Sequence, residues 1–237
     1  MDIPALLKSE PIRKGRRGKG VKRSEIKEIL TLLILNREGP IGRYRLKERL
    51  NLSEREGVVR YMLADLQSQG YVSASRSGCA LTPKGKELLE KRLRAYGIIA
   101  IKTFYSPILT SAPASVGLHL QNKADKIEST MNIRDLAVRG GAVGATIFLF
   151  REEKLTVPSV PTDFLSMHPN LVIKIHESFN LENNDVIAVI SAEDERKGIE
   201  AAITIAKDLS NKWIGPNTVK DPFAVPRRRL EKNFDKS

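Results

Sequence analysis

The 237-residue sequence predicts an α+β chain in two domains: a small helical domain carrying a β-hairpin, followed by a larger α+β sandwich. Three observations carry this expectation. Up to residue 95, apolar residues recur at helical spacing between clear capping signals. Beyond residue 113, short apolar runs of strand length alternate with helical stretches. The basic charge is also confined to one end. Residues 1–94 hold 22 Lys and Arg against 11 Asp and Glu, a net of +11, whereas residues 95–219 net −2 and residues 220–237 net +3.

That partition says more than the total of +12. An end so basic is suited to neutralising phosphates, although an acidic protein or an anionic membrane surface would also attract it. Residues 13–23, RKGRRGKGVKR, contain seven basic residues and three glycines with nothing to bury. They predict a flexible arm over residues 1–23, with Arg13, Lys14, Arg16 and Arg17 placed to follow a nucleic-acid backbone or enter a minor groove. Other classes recede. A single cysteine excludes an internal disulfide framework and points to a reducing, cytoplasmic setting. No apolar run approaches the roughly 20 residues that cross a bilayer, and residues 1–8 do not read as a secretory signal.

Ser24 is suited to cap a first helix in which Ile26, Ile29, Leu30, Leu33 and Ile34 share a face, ending before Gly39-Pro40. A second helix is expected near residues 44–50, then a tight turn at Asn51-Leu52. Ser53 and Glu56 form a capping box for a third helix over residues 54–69, stopped by Gly70. Within it Val59, Leu63 and Leu66, supported by Met62, make one apolar line. Helix, short turn and capped helix make a helix-turn-helix arrangement. Residues 71–74 and 79–81 read as two strands joined at Ser75–Gly78. Thr82-Pro83 opens a fourth helix, with Leu88, Leu89, Leu93 and Tyr96 on its buried side.

The run LNLSEREGVVRYMLADLQSQGYV followed by LTPKGKELLEKRL resembles the core of winged helix-turn-helix transcription regulators. The resemblance covers residues 24–94 and implies that residues 24–95 bind double-stranded DNA with the third helix in the major groove. If Val59, Leu63 and Leu66 point inward, Arg55, Val58 and Tyr61 project outward, with Arg60 at the edge of that face. Arg at such a position can bond guanine in a bidentate way. Arg43 and Arg45, with Lys47, would meet phosphates, and Arg76 would top the wing. More weakly, the whole chain resembles two-domain regulators of archaea whose C-terminal domain has no assigned chemistry.

For the second domain, residues 96–113 are expected to link, continuing the fourth helix or forming a linker strand, and residues 114–219 to fold. Strands are expected at residues 115–120, 145–151, 171–175 and 185–191, and helices at residues 123–139 and 193–209, packed on one face of a sheet. Gly140-Gly141 and Gly144 follow a helix and precede a strand, the reverse of a phosphate loop, and so read as a helix stop. Arg134 and Arg139 are candidates for a small acidic effector. His119, His168 and His176 lack metal-ligand spacing, and no nucleophile–base pattern is visible, so no cofactor, metal or enzymatic activity is expected. The expectation is a homodimeric DNA-binding regulator, with a basic tail at residues 220–237. The alternative is a winged-helix interaction subunit of a larger nucleic-acid-associated complex.

Overall fold

The computed structural model describes residues 25–52, 56–158, 160–161 and 163–211. The basic arm, the expected caps Ser24 and Ser53, Arg55 and the basic tail lie outside them. The chain divides into two units, Met1–Glu90 and Lys91–Ser237.

The first unit begins with α1 (Glu25–Glu38), α2 (Arg43–Arg49) and α3 (Glu56–Ser68). Leu46 is the buried residue of α2 and Leu50, just after it, is also buried; Val59, Met62, Leu63 and Leu66 bury one side of α3, as the spacing predicts. In α1 the deepest residues are Ile29, Leu30, Leu32 and Leu35, with Leu33 and Ile34 only half-buried. The expected face is rotated because α1 packs on both α2 and the hairpin that follows α3. Buried Thr31 donates its hydroxyl to Lys27 O at 2.7 Å and lies 3.4 Å from Met62 Sδ.

The hairpin pairs β1 (Val72–Ser75) with β2 (Gly78–Leu81), and Arg76-Ser77 forms its tip. Ile41 adds a bridge to Cys79, the two residues exchanging N–H···O bonds of 2.9 Å. Gly78 permits this approach: it has a φ of +128°, and a Cβ there would lie 2.5 Å from the Ile41 carbonyl carbon. Next comes α4 (Pro83–Ala95), whose entry is fixed by Thr82. The Thr82 hydroxyl accepts from Gly85 N at 3.1 Å and donates to Gly70 O at 2.7 Å.

The second unit is built on a five-stranded antiparallel sheet in the order β3-β4-β7-β5-β6. The strands are β3 (Ile98–Thr103), β4 (Ala114–Leu120), β5 (Gly144–Arg151), β6 (Lys154–Thr156) and β7 (Asp185–Ala192). A 3-10 turn (Ala124–Lys126) and α5 (Thr130–Arg139) lead from β4 to β5; α6 (Phe164–Met167) and α7 (Pro169–Ser178) lead from β6 to β7; α8 (Glu195–Asn211) follows. Every residue of β7 is buried, as suits the central strand.

Four expectations are corrected here. Residues 96–113, expected to link the domains as a continuation of the fourth helix or as a strand, supply edge strand β3 of the second unit's sheet. Residues 171–175 are helical, not extended: Pro169 starts α7, and Leu171 and Ile175, one turn apart, are buried while Ile173 is exposed. The helix expected over residues 123–139 starts afresh at Thr130, where the Ser129 hydroxyl accepts from Asn132 N. The helices also cover both sheet faces rather than one. Phe148, Ile187 and Val189 pack with Leu171 and Ile175 of α7, whereas Val116 and Ala192 meet Gly198 of α8.

One polar cluster sits inside this apolar frame. Asp185, 1% exposed at the start of β7, accepts from Asn122 N at 2.9 Å and Glu182 N at 2.9 Å, and its Oδ2 lies 2.7 Å from His119 Nε2. A carboxylate has only acceptors, so the imidazole N–H is the donor. Asp185→Ala is expected to destabilise the protein by about 1–3 kcal/mol or more, because it leaves the buried His119 donor and two part-buried backbone N–H groups unmet. Urea unfolding measures this.

Two glycines should respond in opposite directions. A Cβ on Gly85 would collide with the Tyr71 carbonyl, which is backbone and cannot rotate away, whereas Gly57 in α3 has open space around its Cβ position. Gly85→Ala is expected to cost about 1–3 kcal/mol or more. Gly57→Ala should stabilise by about 0.5–1 kcal/mol through helix propensity. Thermal melts of the two variants decide the signs.

Candidate nucleic-acid interface

Burying the apolar line of α3 decides what its other side presents. Val59 and Leu63 are each 2% exposed and Leu66 is 1% exposed, while Tyr61 is 80% exposed. Of the residues expected to face outward on this helix, Arg60 and Tyr61 are exposed, whereas Val58 is half-buried. Arg55, one residue before α3, lies outside the described residues.

Helix α2 runs beside α3 and brings its own cations. Arg43 and Arg60 converge, both lining a small hollow with Tyr44 and Lys47 and a larger cavity of about 360 Å³ between α3 and the hairpin. Gln67, Ser75 and Cys79 are among the other residues that line the larger cavity. Arg45 is placed differently: its guanidinium is 3.9 Å from Glu38 Oε2, which also accepts from Arg49 Nε at 3.0 Å. Part of its charge is thus turned toward α1, which is not so of Arg43 among the described residues.

The hairpin tip is braced. Ser75 Oγ lies 2.7 Å from Ser77 Oγ and donates to Gly78 O at 3.2 Å, holding Arg76 exposed between them. The one cysteine is not a reactive group of this surface. Cys79 is buried, and that burial pushes its thiol pKa up, against a smaller lowering by Arg43.

Sequence reasoning missed Tyr44. It is 70% exposed, with Lys47 Nζ 5.8 Å from its ring centroid. The signal was present: an aromatic residue with Arg43 and Arg45 on either side, on a helix whose buried position is Leu46. Such a side chain can lie against sugar or base edges. The proposed effector residues Arg134 and Arg139 are exposed on α5, and neither lines any of these cavities nor the cleft at the sheet end described below. Among the described residues no group of three or more His, Cys, Asp or Glu could hold a metal ion, and no helix is long and apolar enough to cross a membrane.

A helix-turn-helix with a basic, aromatic outer surface defines the class of the first unit, and the comparisons agree. Residues 26–95 match the model of the CggR N-terminal DNA binding domain. Residues 112–209 match a domain of unknown function, DUF4443. Together the matches support a two-domain DNA-binding regulator with DNA as its partner. No curated protein matches the chain. Among solved structures, "Hypothetical protein PH0730 from Pyrococcus horikoshii OT3" is similar, with a TM-score of 0.61 and 24% identity over 79% of this chain and 93% of that one. At that identity the likeness concerns the fold alone.

The register of α3 generates a paired expectation. Tyr61→Ala should leave the melting temperature nearly unchanged and weaken DNA binding. Leu63→Ala should cost about 2–5 kcal/mol of stability through a core cavity, with base preference unchanged in the folded fraction. Thermal melting together with selection from a random DNA pool separates the two. Exchange of these effects between the variants would mean the helix is rotated.

Proposed function

We propose that the chain is a homodimeric transcription regulator that reads duplex DNA with a winged helix-turn-helix. The observation that carries this reading is the division of α3 into a buried apolar line and an outer surface of Val58, Arg60 and Tyr61, flanked by Arg43 and Arg76. In this reading α3 enters the major groove, where side chains near its start reach base edges. Arg43, with Lys47 beside it, holds the phosphates that pass α2. Arg76, at the end of the wing, meets the neighbouring groove. The N-terminal arm adds further backbone contacts that raise affinity for all sequences alike.

Two-fold operators and two-fold proteins go together, and the second unit is large enough to supply the interface and an effector site. The chain acts in the cytoplasm by binding, without catalysing a reaction. A purely protein-binding winged helix is disfavoured by the charge: a net of +11 on residues 1–94 against −2 on residues 95–219 concentrates attraction for a polyanion on one unit.

The test is the salt dependence of DNA affinity for the full-length chain. With about five phosphate contacts per DNA-binding domain, the log–log slope per domain should be about −4 to −5. Arg43→Ala should make that slope shallower by about 1, whereas Arg60→Ala should alter preference at one base pair. An affinity unchanged between low and physiological salt would remove DNA from the reading.

A further inference from the structure

At one end of the second unit's sheet lies a cleft of about 800 Å³ that the DNA reading does not use. It opens where the start of β3, the end of β4, the β5–β6 turn and the turn before β7 come together. Its volume falls within the roughly 300–1,000 Å³ of small-molecule sites. The lining carries both signs of charge: Arg94, Lys123 and Arg151 against Asp125, Glu152, Glu182 and Asp185.

Most of these groups are already engaged. Arg151 pairs with Asp125 at 3.1 Å, Glu182 accepts from Gln121 at 3.3 Å, and Asp185 is saturated by the contacts described above. Two are not. Lys123 forms no ion pair among the described residues. Its stem lies over Gly97, where a Cβ would come within 2.6 Å of Lys123 Cε, and burial with the nearby Lys126 charge lowers its pKa from the ordinary lysine value. An ammonium so placed lacks an anion. The Glu152 carboxylate is likewise without a partner among the described residues.

The frame holding them is formed in advance. Glu152 N donates to Asn183 Oδ1 at 2.9 Å, Asp125 N to Asn184 Oδ1 at 3.1 Å, and Asn184 Nδ2 to Asn122 Oδ1 at 2.5 Å. Side chains of one turn thus fix the backbone of the next, which lowers the ordering cost of binding. Four carboxylates against three cations would repel a phosphate or nucleotide. The unpaired ammonium in turn disfavours a simple cation, and no metal-holding group of acids is present among the described residues.

We propose that this cleft binds a small zwitterion, an α-amino acid, with its carboxylate on Lys123 and its ammonium toward Glu152 and Glu182. The proposal deepens the effector part of the function proposed above and places that site away from Arg134 and Arg139.

Isothermal titration of the full-length chain with the twenty L-amino acids, one at a time up to about 10 mM, tests it. At least one should bind saturably, and both Lys123→Met and the exposed Glu152→Gln should weaken it about tenfold or more. Its N-acetyl derivative should bind as poorly, while Arg134→Ala should bind like the parent. Absence of binding by every amino acid, binding indifferent to both cleft variants, or displacement by equal inorganic phosphate would each overturn the proposal. Circular dichroism melts establish that each variant is folded. DNA affinity measured without amino acid on the same preparations separates the two readings: DNA binding without amino-acid binding sinks only the cleft, and the converse sinks only the regulator.

Discussion

The second unit is organised around a buried carboxylate. Asp185 heads a strand buried over its whole length, a position where an unmet charge would be costly. The three donors that meet it come from His119 in β4, from the turn after β4 and from the turn before β7. Satisfying one side chain therefore ties the ends of adjacent strands, and it does so where the apolar core gives out. Phe179, edge-on to the His119 ring at 5.8 Å, closes the apolar side of the cluster. The turns around the cleft are positioned by this anchoring, so the polar end of the sheet is as firmly specified as its core.

The first unit meets its constraint through packing. Once Val59, Leu63 and Leu66 are committed to the core, the outer surface of α3 follows without further choice. The hairpin is held on the opposite side by the Ile41–Cys79 exchange and by Thr82, which joins the start of α4 to the stop of α3. The surface that would meet DNA is thus set by residues that never touch it.

That difference explains what could be read from the chain. The elements of the first unit were legible because each is local: caps, stops and apolar spacing all lie within one helix or hairpin. In the second unit, LVIKI alternates as a strand would, yet its Leu and Ile are also one helical turn apart, and Pro169 settled the matter. The apolar stretch containing β3 gave no period to distinguish strand from linker. The cleft was invisible because Arg94, Lys123, Glu152 and Glu182 are scattered over some ninety residues and converge only through sheet order. On the outer side of the first unit, the exposure of Arg43, Arg60, Tyr61 and Arg76 followed from face and charge. Tyr44 was passed over because an exposed aromatic leaves no spacing signal.

The sheet's two outer strands limit how it can grow. At one edge β6 has three residues, too few to template a further strand of ordinary length. At the other, β3 is paired only with β4 among the described residues, but its register shifts between Ile98 and Ala100, and Lys102 and Thr103 are exposed further along. A bulge and an edge lysine are features that keep backbone donors and acceptors from recruiting another chain. Fibrous stacking and strand exchange at high protein concentration are thereby discouraged, and two copies that associate in an orderly way would do so through helical faces rather than by lengthening the sheet.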